Sequence, residues 1–221
     1  MEDRGHKLNG CCRDINIAVL GAKHVGKSAM IVRFLTGRYI GDYDSETEAV
    51  FSTHVPVDGK QCTVNIMDTA GHVPGQGLKE DPVMWADCFL LVLSLTDSSS
   101  YQVVEELIHE LRKIREDERV PILVAANKSD LVHLRTVNPA EVEACVVDQG
   151  CLFCEISTSE EPDSVRNAFF KLCKQVRSVY KKREKLSWTL QRPAVAAKLQ
   201  IRQSLRNLAE KKLWRSRTST F

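Results

Sequence analysis

The sequence contains no run of eighteen apolar residues, which is about the length that a helix needs to span a membrane. It also lacks the charged segment followed by an apolar segment with which a secretory signal peptide begins. We therefore expect no transmembrane segment and an intracellular, reducing compartment such as the cytoplasm. In such a compartment the eight cysteines are not expected to form disulfides.

Three functions, namely a structural zinc site, N-myristoylation and prenylation, each lack a residue that they require. Cys151 and Cys154 form one CxxC pair, but no second pair supplies the other ligands of a structural zinc site, so we assign both to packing. Glu2 rather than glycine follows the first methionine, which argues against N-myristoylation. No cysteine follows Cys173, so we expect no prenyl anchor.

The positive charge of the chain is concentrated at its C-terminal end. Residues 181–221 carry 12 lysines and arginines against two acids, a net charge of +10, whereas the whole chain carries +2. We therefore divide the 221 residues into an N-terminal extension (1–13), a folded domain (14–180) and a basic tail (181–221).

Short apolar runs alternate with helical patterns along the folded domain. The runs predict strands at about 14–20, 49–57, 60–67, 88–95, 121–126 and 151–156, and the helical patterns lie at about 27–36, 99–117, 139–149 and 163–181. Asp58-Gly59 predicts a hairpin, and Pro56 places its strand at a sheet edge. We predict an α/β protein whose six-stranded sheet is mainly parallel, with one antiparallel edge strand and helices on both faces.

The first strand leads into a glycine-containing loop, GAKHVGKS, that begins a helix. This loop matches the P-loop pattern, in which backbone N–H groups bind phosphate oxygens, a lysine reaches the outer phosphates and a hydroxyl ligates Mg²⁺. The helix N-terminus adds a partial positive charge. We therefore predict the P-loop NTPase fold and assign nine residues to the phosphate site: Gly21, Ala22, Lys23, His24, Val25, Gly26, Lys27, Ser28 and Ala29.

Two further motifs follow strands of the predicted sheet. The DTAG motif, residues 68–71, ends the third strand, where Asp68 can hold Mg²⁺ together with Ser28 and the Gly71 N–H can meet a γ-phosphate. The NKSD motif, residues 127–130, follows the fifth strand at the carboxyl edge of the sheet, where ligands of such sheets bind.

The NKSD motif also selects a base. The Asp130 carboxylate can accept hydrogen bonds from both the ring N–H and the exocyclic amine of guanine, whereas adenine offers neither donor at those edges. Asn127, Lys128 and Asp130 are therefore the predicted guanine-binding residues. The predicted ligand is GTP or GDP with Mg²⁺.

With these three motifs in order, residues 14–180 resemble the Ras superfamily of small GTPases. The segments AVLGAKHVGKSAMIVRFLTGRYIGDY and LFCEISTSE look like its divergent Ras-like branch, which comprises families eleven and twelve and the oestrogen-regulated growth inhibitors. The resemblance implies a G domain that hydrolyses GTP and acts as a signalling switch, and it implies the nucleolar association of the nearest family. We expect a monomer whose effector proteins the sequence does not identify.

The resemblance also assigns residues around the guanine. It places Tyr39 beside the base and puts Ser157 and Thr158 in the loop whose backbone N–H reaches the base carbonyl. Thr158 stands where the family usually has alanine, and Ser159 stands where lysine is usual. Both replacements could weaken binding of the guanine base.

The sequence departs from Ras around the γ-phosphate. Lys23 replaces a glycine of Ras and has His24 beside it. The Lys23 side chain would obstruct an arginine supplied by an activator or partly replace its charge, unless both side chains are only solvated surface groups. In the first switch, simple register puts Glu46 where the family has the threonine that contacts Mg²⁺. Either Thr47 takes that place as a metal ligand, or the loop closes poorly over GTP.

The second switch departs as well. His72 occupies the position of the catalytic glutamine, where a neutral imidazole can orient the attacking water; the alternative is a solvent-facing loop residue. His72 joins Lys27 and Gly71 as a catalytic candidate. The residues Pro74, Gly75, Gly77 and Pro82 disfavour a continuous helix, so we expect this switch to be mobile rather than helical.

The basic tail contains an apolar stripe at helical spacing, flanked by basic residues. The stripe consists of Ala194, Ala197, Ile201, Leu205 and Leu208, and the flanking residues are Lys198, Arg202 and Arg206. Such a helix could contact nucleic acid, an anionic membrane or a partner protein, and a solvated, partly disordered extension is the alternative.

Two functions therefore remain open from the sequence. The first is a GTPase that hydrolyses GTP slowly and acts as a switch. The second is an interaction module that bound nucleotide stabilises, that scarcely hydrolyses GTP and that acts through its switches and tail.

Overall fold

The computed structural model describes residues 13–40, 48–115 and 120–190, with the side chains of the last segment described as far as residue 185. Its strands are β1 (Ile15–Leu20), β2 (Ala49–Val57), β3 (Lys60–Asp68), β4 (Cys88–Ser94), β5 (Ile122–Asn127) and β6 (Leu152–Glu155). Its α-helices are α1 (Lys27–Thr36), α2 (Glu80–Trp85), α3 (Ser98–Arg115), α4 (Pro139–Asp148) and α5 (Pro162–Leu190), and a 3₁₀ turn covers Val132–Leu134.

The six strands form one sheet in the order β2-β3-β1-β4-β5-β6. Every neighbouring pair is parallel except β2 and β3. Helix α1 packs against β3, α3 against β4 and α4 against β6. All residues of β4 and β5 are buried, as expected for parallel strands that read as continuous apolar runs. The predicted mainly parallel α/β sheet is therefore confirmed.

The hairpin between β2 and β3 turns at the predicted pair. Asp58 and Gly59 both have positive φ, 48° and 73°, as a type I′ turn requires. Val57 pairs with Lys60, and in a two-residue hairpin this flanking pair exchanges hydrogen bonds. Because bonded and non-bonded positions alternate, the backbone of Pro56 faces away from β3, where its missing N–H costs no ladder bond.

Two helices differ from the predictions. The second switch region is not entirely non-helical, because α2 forms at Glu80–Trp85. Pro82 lies in the first turn of this helix, where N–H groups have no intrahelical partner, so a proline is tolerated. Helix α5 was predicted to end near residue 181 but continues to Leu190, because no glycine or proline interrupts residues 163–190. Whether residues 71–79 are mobile stays a prediction.

One cysteine also contradicts the sequence-based expectation. Cys62, in β3, is disulfide-bonded, so the expectation of no disulfides is wrong for this residue. A sequence alone does not show which sulfur atoms the fold brings together. The other cysteines of the described segments are free thiols: Cys88, Cys145, Cys151, Cys154 and Cys173.

The chain divides into two compact units, residues 1–176 and 177–221. The predicted domain boundary near residue 180 stays a prediction, and so do the contacts assigned to the tail stripe, which lies outside the described residues. Among the helices of the described segments, none is both long and apolar enough to cross a membrane.

Candidate functional site

Two glycines shape the loop between β1 and α1. Gly26 caps the helix in the left-handed region with φ of 100°, and a side chain there would collide with the amide of Asn127. Gly21 has φ of 147°, and a side chain there would collide with the backbone carbonyl of Val92. The loop can therefore follow this path only because both positions lack a Cβ.

Lys27 is held inside the loop by main-chain carbonyls. Its Nζ donates to the carbonyl oxygen of Ala22 at 2.8 Å and to that of Gly21 at 3.2 Å. Burial lowers the pKa of Lys27 to about 8, because desolvation outweighs the opposing attraction of the nearby Asp68. A buried ammonium group favours an anionic ligand, whose negative charge would raise the pKa of Lys27 again.

Asp68, at the end of β3, has one carboxylate oxygen without a partner. Burial raises its pKa, while a hydrogen bond from Ser28 and the charge of Lys27 lower it by smaller amounts. Its Oδ1 is buried and accepts no hydrogen bond from the described residues. An unpaired buried oxygen next to a hydroxyl is a donor set that suits Mg²⁺ or its bound water, so Asp68 and Ser28 fit this ion. The predicted metal ligand Thr47 and its neighbour Glu46 lie outside the described residues.

Asn127, the last residue of β5, connects two loops. Its Nδ2 donates to the carbonyl oxygen of Val25 at 2.8 Å. Its Oδ1 accepts hydrogen bonds from the backbone N–H of Thr158 at 3.2 Å and from the Thr158 hydroxyl at 2.9 Å. The N–H that the family resemblance assigned to the base carbonyl thus donates to Asn127 in this structure.

Asp130 is oriented by the loop that contains Ser157 and Thr158. The Ser157 hydroxyl donates to Asp130 Oδ1 at 2.7 Å, and the backbone N–H of Ser129 donates to the carbonyl oxygen of Ile156 at 3.1 Å. Lys128 has a positive φ of 63°, which is uncommon outside glycine and lets the backbone turn between Asn127 and Asp130. The predicted guanine-binding side chains therefore project from one compact turn.

A cleft of about 490 Å³ joins the predicted phosphate and base residues. Its lining residues are His24, Gly26, Lys27, Ser28, Ala29, Tyr39, Asn127, Lys128, Asp130, Leu131, Thr158 and Ser159. Sequence reasoning missed Leu131, although its position directly after the NKSD motif was an available signal. Tyr39 is 48% exposed, so its ring lies at the open side of the cleft.

The start of the second switch lies against the phosphate loop. The backbone N–H of His72 donates to the carbonyl oxygen of Gly21 at 3.0 Å, and Ala22 and His72 form an isolated parallel bridge. The Nε2 atom of His72 is buried and has no hydrogen-bond partner among the described residues, which differs from a solvent-facing loop residue. The side chains of Lys23 and His24 are exposed. The three catalytic candidates therefore lie around one end of the phosphate loop.

Comparisons with known proteins agree with this geometry. Residues 16–178 match the Ras family. The chain is similar to Ras-like protein family member 11A of Rattus norvegicus, with 45% identity over 175 residues that cover 76% of this chain and 72% of the relative. Member 11A of Homo sapiens is 43% identical with the same coverage. Member 11B of Xenopus laevis is 39% identical over 74% of this chain and 68% of the relative.

Proposed function

The chain belongs to the Ras family of small GTPases, and we propose that it binds GTP and GDP with Mg²⁺, hydrolyses GTP slowly and acts as a signalling switch. The cleft is the observation that carries this proposal. It joins Lys27 and Ser28, which suit phosphates and a metal ion, to Asp130, which suits the donor edge of guanine.

Each end of the cleft has a defined role in binding. Asp130 accepts from the two guanine donors, and its hydrogen bond from Ser157 fixes the orientation of the carboxylate. The Lys27 ammonium and the loop amides hold the phosphates. Ser28 and Asp68 would hold Mg²⁺, which would neutralise charge on the phosphate oxygens.

Slow hydrolysis is expected from the residues beside the γ-phosphate position. Lys23 lies against Gly71, which supports the expectation that its side chain obstructs an arginine supplied by a partner protein. His72 replaces the usual glutamine, and its backbone is bonded to Gly21. Its Nε2 is buried and unpaired, so it could orient a water molecule only once it becomes accessible, which supports a limited catalytic role.

The contact between Lys23 and Gly71 also supports the second candidate function. If this side chain prevents productive hydrolysis altogether, bound GTP stabilises the fold and the protein acts as an interaction module. The two candidates share the nucleotide site and differ in the fate of bound GTP.

The test uses the full chain, purified with its bound nucleotide. Chromatography of the released nucleotide should identify GDP or GTP, and calorimetry on nucleotide-stripped protein should show tighter binding of GDP than of ADP. Equal binding of the two diphosphates would overturn the nucleotide-binding proposal.

Hydrolysis is then followed in a single turnover of bound GTP. We expect slow conversion to GDP and little acceleration by activators of Ras proteins. GTP that stays intact for hours would favour the interaction module. A rate equal to that of ordinary Ras proteins, with full acceleration by their activators, would contradict slow hydrolysis.

A further inference from the structure

A second cleft lies between the end of α1, the edge strand β2 and the first turns of α5. Its volume is about 290 Å³, and it shares no lining residue with the cleft that joins the phosphate and base residues. Two guanidinium groups stand among rings and prolines in its lining, which includes Arg33, Phe34, Pro56, Pro162, Arg166 and Phe170. The second cleft is therefore a separate site that combines positive charge with apolar walls.

Both arginines of the second cleft keep N–H donors for a ligand. The guanidinium carbon of Arg166 lies 5.2 Å from the centre of the Phe170 ring, within reach of a cation–π contact. Arg166 has no hydrogen bond or ion pair with the other described residues. One Nη of Arg33 donates over long distances to the carbonyl oxygens of Ser159 and Glu160, at 3.5 and 3.4 Å, and its Nε has no partner among the described residues. Each planar group can therefore receive an acceptor.

The charge of the second cleft fits one carboxylate. Asp163 is the one acid in its lining, so the formal charge is +1 with His54 taken as neutral. Within the described residues Asp163 forms no ion pair with either arginine. A guanidinium group binds a carboxylate through two parallel N–H···O bonds. A phosphate dianion would exceed the charge of the cleft, and nucleic acid requires a longer row of cations than two.

The apolar walls fit a ring next to that carboxylate. Phe34 and Phe170 are half-buried, while Pro56 and Pro162 are exposed at the cleft. The Phe34 ring is held in place because it stacks on the buried Phe169 ring, with 4.1 Å between the ring centres. The volume lies just below the roughly 300–1,000 Å³ of small-molecule sites, so it suits two adjacent side chains. An inorganic anion or a lipid headgroup would leave these walls in contact with water.

We propose that the second cleft binds a partner protein through an exposed segment in which an acidic residue stands next to an aromatic one. Arg33 and Arg166 receive the carboxylate, and the aromatic ring packs against Phe34 and the two prolines. The chain's own tail, residues 181–221, is a poor occupant, because its net charge of +10 has the same sign as the cleft. The site gives the protein a contact that does not pass through the nucleotide or the second switch.

The test titrates the full chain, purified with its bound nucleotide, with capped tetrapeptides and records two-dimensional amide NMR spectra. Gly-Glu-Phe-Gly is the probe, Gly-Gln-Phe-Gly lacks its charge and Gly-Glu-Ala-Gly lacks its ring. We expect the probe to shift the signals of residues around the second cleft, Thr53 and Phe170 among them. It should bind about fivefold more tightly than either control peptide, as the loss of one partly exposed contact implies. A fourth peptide with phosphoserine in place of glutamate should bind no more tightly than the probe.

Two matched variants locate the binding site. Arg166→Gln removes the charge of an exposed side chain in the cleft and should weaken binding of the probe by about fivefold. Lys113→Gln makes the same change of charge on α3, outside the cleft, and should leave binding within about twofold. The unfolding temperature of both variants is measured to verify that they fold.

Four results would overturn the inference. They are equal binding of the glutamate and glutamine peptides, no shift or only shifts outside the cleft at millimolar peptide, unchanged binding in Arg166→Gln, and tightest binding of the phosphoserine peptide. None of them bears on nucleotide binding, because the two clefts share no lining residue.

Discussion

Lys23 and Gly71 are in van der Waals contact across the phosphate end of the site. A Cβ atom on Gly71 would collide with Lys23 Cγ and would lie 2.8 Å from Lys23 Cα and 2.9 Å from its backbone nitrogen. Two of these three atoms belong to the backbone, so the position after the DTA sequence requires glycine whatever side chain stands at position 23. The contact also places an exposed lysine side chain over the start of the second switch.

Replacing this lysine should restore access for an activator. In Lys23→Ala the chain beyond Cβ is removed, and we expect GTP hydrolysis in the presence of an activator of Ras proteins to rise at least about tenfold, because an arginine supplied by the activator can enter. An exposed lysine elsewhere provides the control: Lys174 lies in α5 and does not line the cleft, so Lys174→Ala should leave the stimulated rate unchanged. A stimulated rate in Lys23→Ala equal to that of the unmodified chain would show that this side chain does not block the activator.

Asp130 should determine the choice of base. Asp130→Asn replaces an acceptor by an amide that can donate to the C2 carbonyl of xanthine, so GDP binding should weaken by at least about a hundredfold and xanthosine diphosphate should become the better ligand. Calorimetry with the two diphosphates measures this exchange. Ser157→Ala removes only the hydroxyl that donates to Asp130 and should weaken GDP binding by about tenfold or less. Unchanged GDP preference in Asp130→Asn would contradict the assignment.

His72 is expected to orient the attacking water. His72→Ala removes the ring and should lower the single-turnover rate of GTP hydrolysis by about tenfold or more, whereas His72→Gln, whose amide can also bind water, should keep most of it. GDP affinity serves as the control, because His72 does not line the cleft. If the alanine variant hydrolyses GTP at the original rate, His72 has no role in the chemistry.

Cys154 should react slowly with alkylating agents despite its partial exposure. Burial raises the pKa of its thiol to about 11, and the nearby Lys171 lowers it by less. The folded chain therefore keeps this proton between about pH 9, the ordinary value, and pH 11, whereas the unfolded chain loses it. Cys154 thus favours the folded state below pH 9, and this contribution is lost as the pH rises towards 11.

Peptide-resolved alkylation at pH 7.5 measures this difference. We expect Cys154 to be modified much more slowly in the native chain than in urea, since the thiolate is the reactive form. Equal alkylation rates in the native chain and in urea would show that the fold neither buries the Cys154 thiol nor raises its pKa.

The sequence predicted the parts of the fold that depend on local pattern. The strands β4 and β5 are continuous apolar runs, and the turn at Asp58-Gly59 needs two residues with positive φ, so both could be recognised without long-range information. Helix α2 was missed because Pro82 was read as a helix breaker, although its effect depends on where the helix begins. The local sequence pattern does not show where the first turn of α2 begins.

The candidate site, too, could be predicted only where it depends on local motifs. The P-loop, DTAG and NKSD motifs identify residues by type and spacing, and the structure brings Lys27, Ser28 and Asp130 to one cleft. The hydrogen bond from Thr158 to Asn127 joins residues 31 positions apart, and the burial of His72 Nε2 depends on packing. Neither can be inferred from spacing, because each depends on how two loops meet.

The orientation of Pro56 limits how the sheet can grow. Along the outer side of β2, backbone donors come from alternate residues, and Pro56 removes the one nearest the hairpin. A foreign strand laid along this side could form a continuous ladder only over the part of β2 before the proline. The hairpin end is thereby protected against the strand-by-strand addition through which exposed edges give rise to aggregates.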